Sequence, residues 1–380
     1  MRQCKMFALF SLITFFSFQF TLCALEHSLV FDGAIHLSPN YGELDPKIAY
    51  NGTNFLVVFR DNGVHPRLYA QLLDQSANKI GDEFLIQPSV SENAFEFDIC
   101  SNGDSFLVAW RGHKGIRGQI ISGNGEVISQ EIIIGENYSS QENPSISSEG
   151  INYMVAWKDY SHFALQKIDS TGKKLGGIIR PKDSLTGHGG DICYIFNKYF
   201  ICWNGPNAYL YGQFIDLNGN SIGSEFIISN NGYDPEIASN SHNFVVTWSE
   251  AQPIDEDKGI YAQYFSHDGS MIGTQLHVNT YSLEDQINPS ILSYGENYLI
   301  SWETSLSFNR GFYNGIFGQI FDNDTNKIGS EFRINDESLQ ARYRIFCPPA
   351  GVSNGEIVFS VYPRNLIFEG GNQKNMISRI

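Results

Sequence analysis

DPEIASNSHNFVVTWSEAQPIDEDKGIYAQYFSHDGSMIGTQLHVN, residues 234–279, carries the architecture of the whole chain in one unit. Pro235-Glu-Ile237-Ala238 opens a short apolar run, and Asn243-Phe-Val-Val-Thr-Trp248 is a second run of β-branched and aromatic residues. Gly259-Ile-Tyr-Ala-Gln263 is a third, and after Asp268-Gly269 a fourth begins at Met271-Ile-Gly273. Val, Ile, Phe, Tyr and Trp fit a pleated, half-buried surface, and the Gly, Asn and Asp between them fit tight turns. The unit therefore reads as four antiparallel strands, A to D, with no sustained helical period.

The same unit recurs along the chain. Pro46-Lys-Ile48-Ala49, Ile99-Cys100, Pro144-Ser-Ile146, Ile192-Cys193 and Pro289-Ser-Ile291 repeat strand A. Phe59, Trp110, Trp157, Trp203 and Trp302 stand where Trp248 stands, and Gln71, Gln119, Gln166, Gln213 and Gln319 match Gln263. Four strands in roughly 45–50 residues is the size of a propeller blade. An aromatic at one position of every blade reads as inter-blade packing, and a glutamine at one position as a backbone hydrogen-bonding residue. Both describe the fold and not a ligand.

The ends set the expected count. Six full units run from about Asp45 to Asn335, and a seventh starts at Tyr343-Arg-Ile345 and stops at Ile380, with Arg379 at the glutamine position. Phe31-Asp-Gly-Ala-Ile35-His-Leu37 resembles a lone fourth strand. Pairing it with the last unit would remove two exposed strand edges. The expectation is an all-β, seven-bladed β-propeller of four-stranded blades, one domain over 25–380, with 25–42 as the closing strand. The blades fall at about 43–88, 92–136, 141–182, 187–230, 232–280, 285–335 and 340–380.

Arg2 and Lys5 ahead of an apolar run from Met6 to about Phe20, with small residues at Cys23 and Ala24, read as a secretory signal peptide over 1–24. The run is short of the ~20 residues of a spanning helix. Removing it takes two positive charges and no acids, moving the net charge from −16 to −18. That balance argues against nucleic acid and anionic lipid as partners. It suits an extracellular or periplasmic protein whose partner is a protein or a glycan.

Chemistry-bearing motifs are absent. Cys100, Cys193, Cys202 and Cys347 lack the paired spacing of a zinc site. Export permits a disulfide between Cys193 and Cys202; the repeat instead places both at small core positions. His113, His162, His188, His242 and His267 are scattered. Asp216, Asn218 and Asn220 alternate as in a calcium loop but lack its closing glutamate, so no metal or other cofactor is expected. Ser266-His267-Asp268-Gly269-Ser270 approaches the Asp-box of propeller sialidases with the wrong spacing and no tryptophan. The sequons at Asn51, Asn137 and Asn323 are sites for glycosylation in a eukaryotic host.

Binding residues are expected where topology gathers variable loops. The loops before strand A and between B and C share one face, and they vary in length, whereas the turns opposite are short and uniform. Asp45, Glu96, Asn143, Asp234 and Asn288 enter strand A on that face. They either cap the turn before proline or form a polar funnel for a cation or small polar ligand. Asp255, Glu256, Asp257, Phe308, Arg310, Phe312 and Tyr313 add an acidic and aromatic surface from two long loops.

The repeat pattern, seen best at Asn243 to Trp248, Gly259 to Gln263 and His267 to Gly269, resembles repeats of large secreted bacterial proteins of the adhesin and RTX-associated kind. The resemblance covers nearly all of the mature chain and implies no catalytic residues. Its calcium-binding nonapeptides are missing here. The chain is expected to be a secreted binding propeller, with a carbohydrate-active hydrolase or lyase using channel-mouth carboxylates as the alternative.

Overall fold

The computed structural model describes residues 43–61, 65–86, 94–136, 141–160, 162–180, 188–251, 258–280, 285–305, 315–334, 350–353, 358–365 and 373–379. Blade 1 is an antiparallel sheet of Glu43–Tyr50, Phe55–Asp61, Leu68–Leu73 and Lys79–Leu85, hydrogen-bonded in that order. Five more four-stranded sheets repeat it, with innermost strands Phe97–Ser101, Gln141–Ser148, His188–Ile195, Tyr233–Ser239 and Asp285–Tyr294. Each innermost strand packs on that of the next blade, so the sheets stand radially about a central channel.

The expected count of seven four-stranded blades is corrected here. The described residues form six such blades, and the last unit is a sheet of three strands, Ala350–Ser353, Val358–Asn365 and Gln373–Arg379. Its innermost strand lies between those of blade 6 and blade 1. The innermost strand described in this unit is Ala350–Ser353, and Tyr343 to Ile345, where the unit was expected to begin, lies outside the described residues. The register keeps the expected glutamine position: Phe359 pairs with Arg379 and Ser360 with Ser378, as Ile300 pairs with Gln319 and Ser301 with Gly318. The segment 25–42 lies outside the described residues.

The blade constants have structural jobs. Trp110, Trp157, Trp203, Trp248 and Trp302 are fully buried between sheets, where large aromatic surfaces supply much of the packing. Gln71 Nε2 donates to the carbonyls of Leu72 at 3.0 Å and of Ile80 and Gly81 at 3.3 Å. The ladder shifts register between Ala70 and Leu72. A bulge there leaves backbone carbonyls without ladder partners, and the amide replaces the missing N–H groups. Gln166, Gln213 and Gln319 repeat the arrangement.

Candidate functional site at the mouth of the central channel

The innermost strands enclose a cavity of about 690 Å³. All five residues expected at its mouth, Asp45, Glu96, Asn143, Asp234 and Asn288, line it. Four of them are left-handed, with φ of 52° at Asp45, 49° at Asn143, 51° at Asp234 and 51° at Asn288. The proline that follows each one disfavours the right-handed helical region, and aspartate and asparagine tolerate the left-handed one best among residues with a β-carbon. In each of these strands the register slips beside this residue. Backbone geometry thus selects the residue type, and the selection leaves a ring of carboxyl and amide groups at one end of the channel.

The ring is tied to its surroundings. Asp45 Oδ2 accepts from Arg60 Nε at 2.9 Å. Glu96 Oε1 accepts from Arg111 Nη1 at 3.1 Å, and its Oε2 accepts from the backbone N–H of Asn143 on the next blade, also at 3.1 Å. Asn288 Nδ2 donates to Glu303 Oε2 at 3.3 Å. Burial raises the Asp234 carboxyl above its ordinary range, against the pull of the Lys258 charge.

A second tier lies one step deeper and was missed in the sequence: Lys47, Asp98, Ser145, Asp191, Glu236 and Ser290, each two residues beyond the mouth position. The alternation of a strand, applied from the mouth residues inward, could have found it. Asp98 Oδ2 accepts from the Ile146 N–H at 2.8 Å and Asp191 Oδ2 from the Ile237 N–H at 2.8 Å, each bond crossing to the following blade. Asp191 Oδ1 accepts from Ser145 Oγ at 2.5 Å and from its neighbour Ile192 N–H at 2.8 Å.

The tier holds four titratable groups from four blades. Burial, with the Asp191 charge adding to it, pushes Glu236 up to about 8. Burial pushes Asp191 up to about 6, opposed by the Ser145 hydroxyl and reinforced by the Asp98 charge. Burial raises Asp98 as well, with the Lys47 charge opposing it. Burial disfavours the Lys47 ammonium, but Glu236, Asp98 and Asp191 outweigh it and raise that group overall. At neutral pH the tier therefore holds the Lys47 ammonium, the Asp191 carboxylate and a Glu236 carboxyl that keeps its proton.

The remaining expected site residues divide as follows. Asp255, Glu256, Asp257, Phe308, Arg310, Phe312 and Tyr313 lie outside the described residues, as do Cys347 and Asn137. Cys193 and Cys202 are free thiols, so no disulfide joins them. Their strands place Phe200 opposite Cys193 and Asp191 opposite Cys202, and both cysteines pack into the core between blades 4 and 5. Burial pushes the Cys193 thiol up to about 12 and Cys202 well above its usual value. Asp216 spends its carboxylate on its own turn, accepting from the N–H groups of Asn218 and Asn220, both at 2.8 Å. Among the described residues no group of His, Cys, Asp and Glu is arranged to hold a metal ion.

No family model and no curated protein sequence matches this chain, so the likeness to adhesin and RTX-associated repeats rests on the repeat residues alone. Solved structures do match. A protein of unknown function from Dyadobacter fermentans superposes with a TM-score of 0.53 at 11% identity, covering 92% of this chain and 97% of that one. The Dos1 propeller gives 0.52 at 11%, covering 93% and 97%. The β-propeller domain of the Trilobed protease from Pyrococcus furiosus, described as having an open velcro topology, gives 0.52 at 8%, covering 89% and 95%. These likenesses define the chain as a β-propeller, and at such identities they define nothing narrower.

Proposed function

We propose that the chain is an exported binding propeller that recognises a protein or glycan at the mouth of its channel and on the variable loops beside it. One observation carries the reading: five polar residues from five blades converge on one cavity of about 690 Å³. Polar groups held by rigid strands around a concavity are pre-organised for a ligand, since their ordering is already met by folding. The signal-like residues 1–24 and the acidic balance of the chain support export and a neutral or basic partner. Among the described residues no helix is long and apolar enough to cross a membrane.

The test is binding of the mature protein to a glycan array and to a panel of extracellular proteins. It is run beside Asp234→Asn and Asn288→Ala and beside replacements of residues 251–258 and 304–314. Saturable binding weakened by these changes supports the reading, and binding indifferent to all of them removes it.

A second reading, a carbohydrate-active hydrolase, draws on Glu236. A carboxyl raised to about 8 beside carboxylates in one cavity can donate a proton at neutral pH. Its test is hydrolysis of glycoside substrates by the parent protein and by Glu236→Gln, which should be inactive if this reading holds.

A further inference from the structure

We propose that the face around the channel mouth is a track for a neutral oligosaccharide, whose rings stack on Phe95, Tyr160 and Tyr233 and whose hydroxyls are bound by Glu96, Asn143 and Asp234. This rests on the binding reading above and narrows its partner from a protein or glycan to a glycan.

Phe95 and Tyr233 hold the same place in blades 2 and 5. Each comes one residue before a mouth position, Glu96 and Asp234. Phe95 lines the cavity, and Tyr233 is 38% exposed. A cation fixes each ring: the Arg111 guanidinium lies 5.4 Å from the centre of Phe95 and the Lys258 ammonium 5.1 Å from that of Tyr233. The edge-on ring of His113, at 6.0 Å, adds a further contact to Phe95. Aromatic surface held in this way has little freedom left to lose on binding.

Tyr160 is the stronger sign. On blade 3, Asp159 pairs with His162, so a connection of two residues joins the second and third strands. Such a tight connection suits asparagine or glycine at positive φ. Tyr160 stands there instead, with φ of 60° and 55% of its surface exposed. A bulky side chain in the left-handed region is strained. Neither its ring nor its hydroxyl has a partner among the described residues to offset this. Strain kept at an exposed aromatic points to a use outside the fold. The connection is on the mouth face, because Lys158, two residues before Tyr160, pairs with Glu142, the neighbour of Asn143.

The polar groups beside the rings decide the class of partner. The Asp234 carboxyl and the Asn143 amide make no hydrogen bond to other described residues, and Glu96 and Asp234 are both exposed. Charges are depleted at the centre of protein interfaces, where apolar groups adjoin one another. A pyranose instead offers an apolar C–H face to an aromatic ring and a rim of hydroxyls to carboxylates and amides. The acidic mouth and the Asp191 carboxylate below it disfavour uronic and sialic acids, so the sugar is neutral.

The test is calorimetric titration of the mature protein with cello-, xylo-, manno- and chito-oligosaccharides, beside a panel of extracellular proteins. At least one series should bind, more tightly as its chain lengthens. Phe95→Leu, Tyr160→Asn and Tyr233→Leu should each weaken that binding by about tenfold, whereas Phe95→Tyr and Tyr233→Phe should bind as the parent does. Tyr160→Asn should also melt at or above the parent temperature, because asparagine tolerates the left-handed region. A lower melting temperature would show that Tyr160 serves the fold and would overturn its place in the track. Binding equal in the parent and all three ring-removing variants overturns the track and leaves a glycan site elsewhere at the mouth. Failure of all four series to bind overturns the proposal: capture of a panel protein would then keep the binding reading, and no binding at all would remove both.

Discussion

Asp98 on blade 2 and Ile146 on blade 3 are joined by a 2.8 Å hydrogen bond from the Ile146 main-chain N–H to the Asp98 carboxylate. Asp191 and Ile237 repeat it two blades further on. The groups that make the channel acidic are thus also fasteners between sheets, and a ligand in the channel would meet carboxylates already oriented by the backbone.

Truncating this fastener should be costly. Asp98→Ala leaves the buried Ile146 N–H without its acceptor, and a charged partner lost in this way costs about 1.5–3 kcal/mol. Asp98→Asn keeps an acceptor oxygen and drops a charge that burial disfavours, so it should recover most of the loss. Denaturant unfolding of the three proteins checks the order, with parent and Asn variant close together and Ala well below.

The deeper tier makes stability depend on pH in a direction opposite to an ordinary surface carboxylate. The Glu236 carboxyl sits near 4.5 when unfolded and about 8 in the native channel, so the native state binds the extra proton between those values. Its contribution is full below about 4.5 and is lost as pH rises to 8, and Asp191, at about 6, adds a loss between about 4 and 6. Glu236→Gln should flatten the fall and leave the protein more stable than the parent at pH 8, by on the order of 1–3 kcal/mol. Melting temperatures from pH 4 to 9 decide it; a variant with the parent's slope would show that Glu236 does not titrate in this range.

Most of the fold was legible because a blade is a local unit. The strands, the turns and the glutamine of each repeat lie within about 50 residues, so periodicity exposes them. The last unit was legible to its glutamine position, since Arg379 pairs with Phe359 as Gln319 pairs with Ile300, but it misled the blade count because its described residues form three strands. The mouth residues were legible as a ring because the proline after Asp45, Asn143, Asp234 and Asn288 marks the position, and the repeat spacing adds Glu96. Lys47, Asp98, Asp191 and Glu236 were not, because their association is made across the channel by four blades and no spacing in the chain encodes it. The cysteines were legible through the repeat: it places Cys193 and Cys202 at small core positions rather than in the disulfide that export would permit, and the register sets each opposite another residue.

The strand glutamines make a third prediction. Gln213 Nε2 donates to the carbonyls of Phe214 at 3.2 Å, Ile222 at 3.0 Å and Gly223 at 3.4 Å, deep in blade 4. Gln213→Ala should lower stability by about 1–3 kcal/mol through the buried carbonyls it leaves unpaired. Gln213→Glu should cost more, because it turns a carboxylate oxygen towards those carbonyls. Thermal unfolding separates the two, and an alanine variant as stable as the parent would mean that water serves the bulge equally well.

Glycosylation gives the last. Asn51 is buried, and its Oδ1 accepts from the N–H groups of Thr53 at 3.0 Å and Asn54 at 2.7 Å. Its Nδ2 points to the Gly123 carbonyl on blade 2 at 3.4 Å. A glycan on that amide needs solvent, and at Asn51 it would separate blades 1 and 2. At Asn323 the side-chain oxygen accepts from Asn240 Nδ2 at 2.8 Å, between blades 6 and 5. Chain expressed in a glycosylating host should therefore carry no glycan at Asn51 in its folded, monomeric fraction. Any molecules modified there should be found in the aggregated fraction. Glycopeptide mass spectrometry of the two fractions measures this directly, and an occupied Asn51 in folded monomer would contradict the packing of blades 1 and 2 described above.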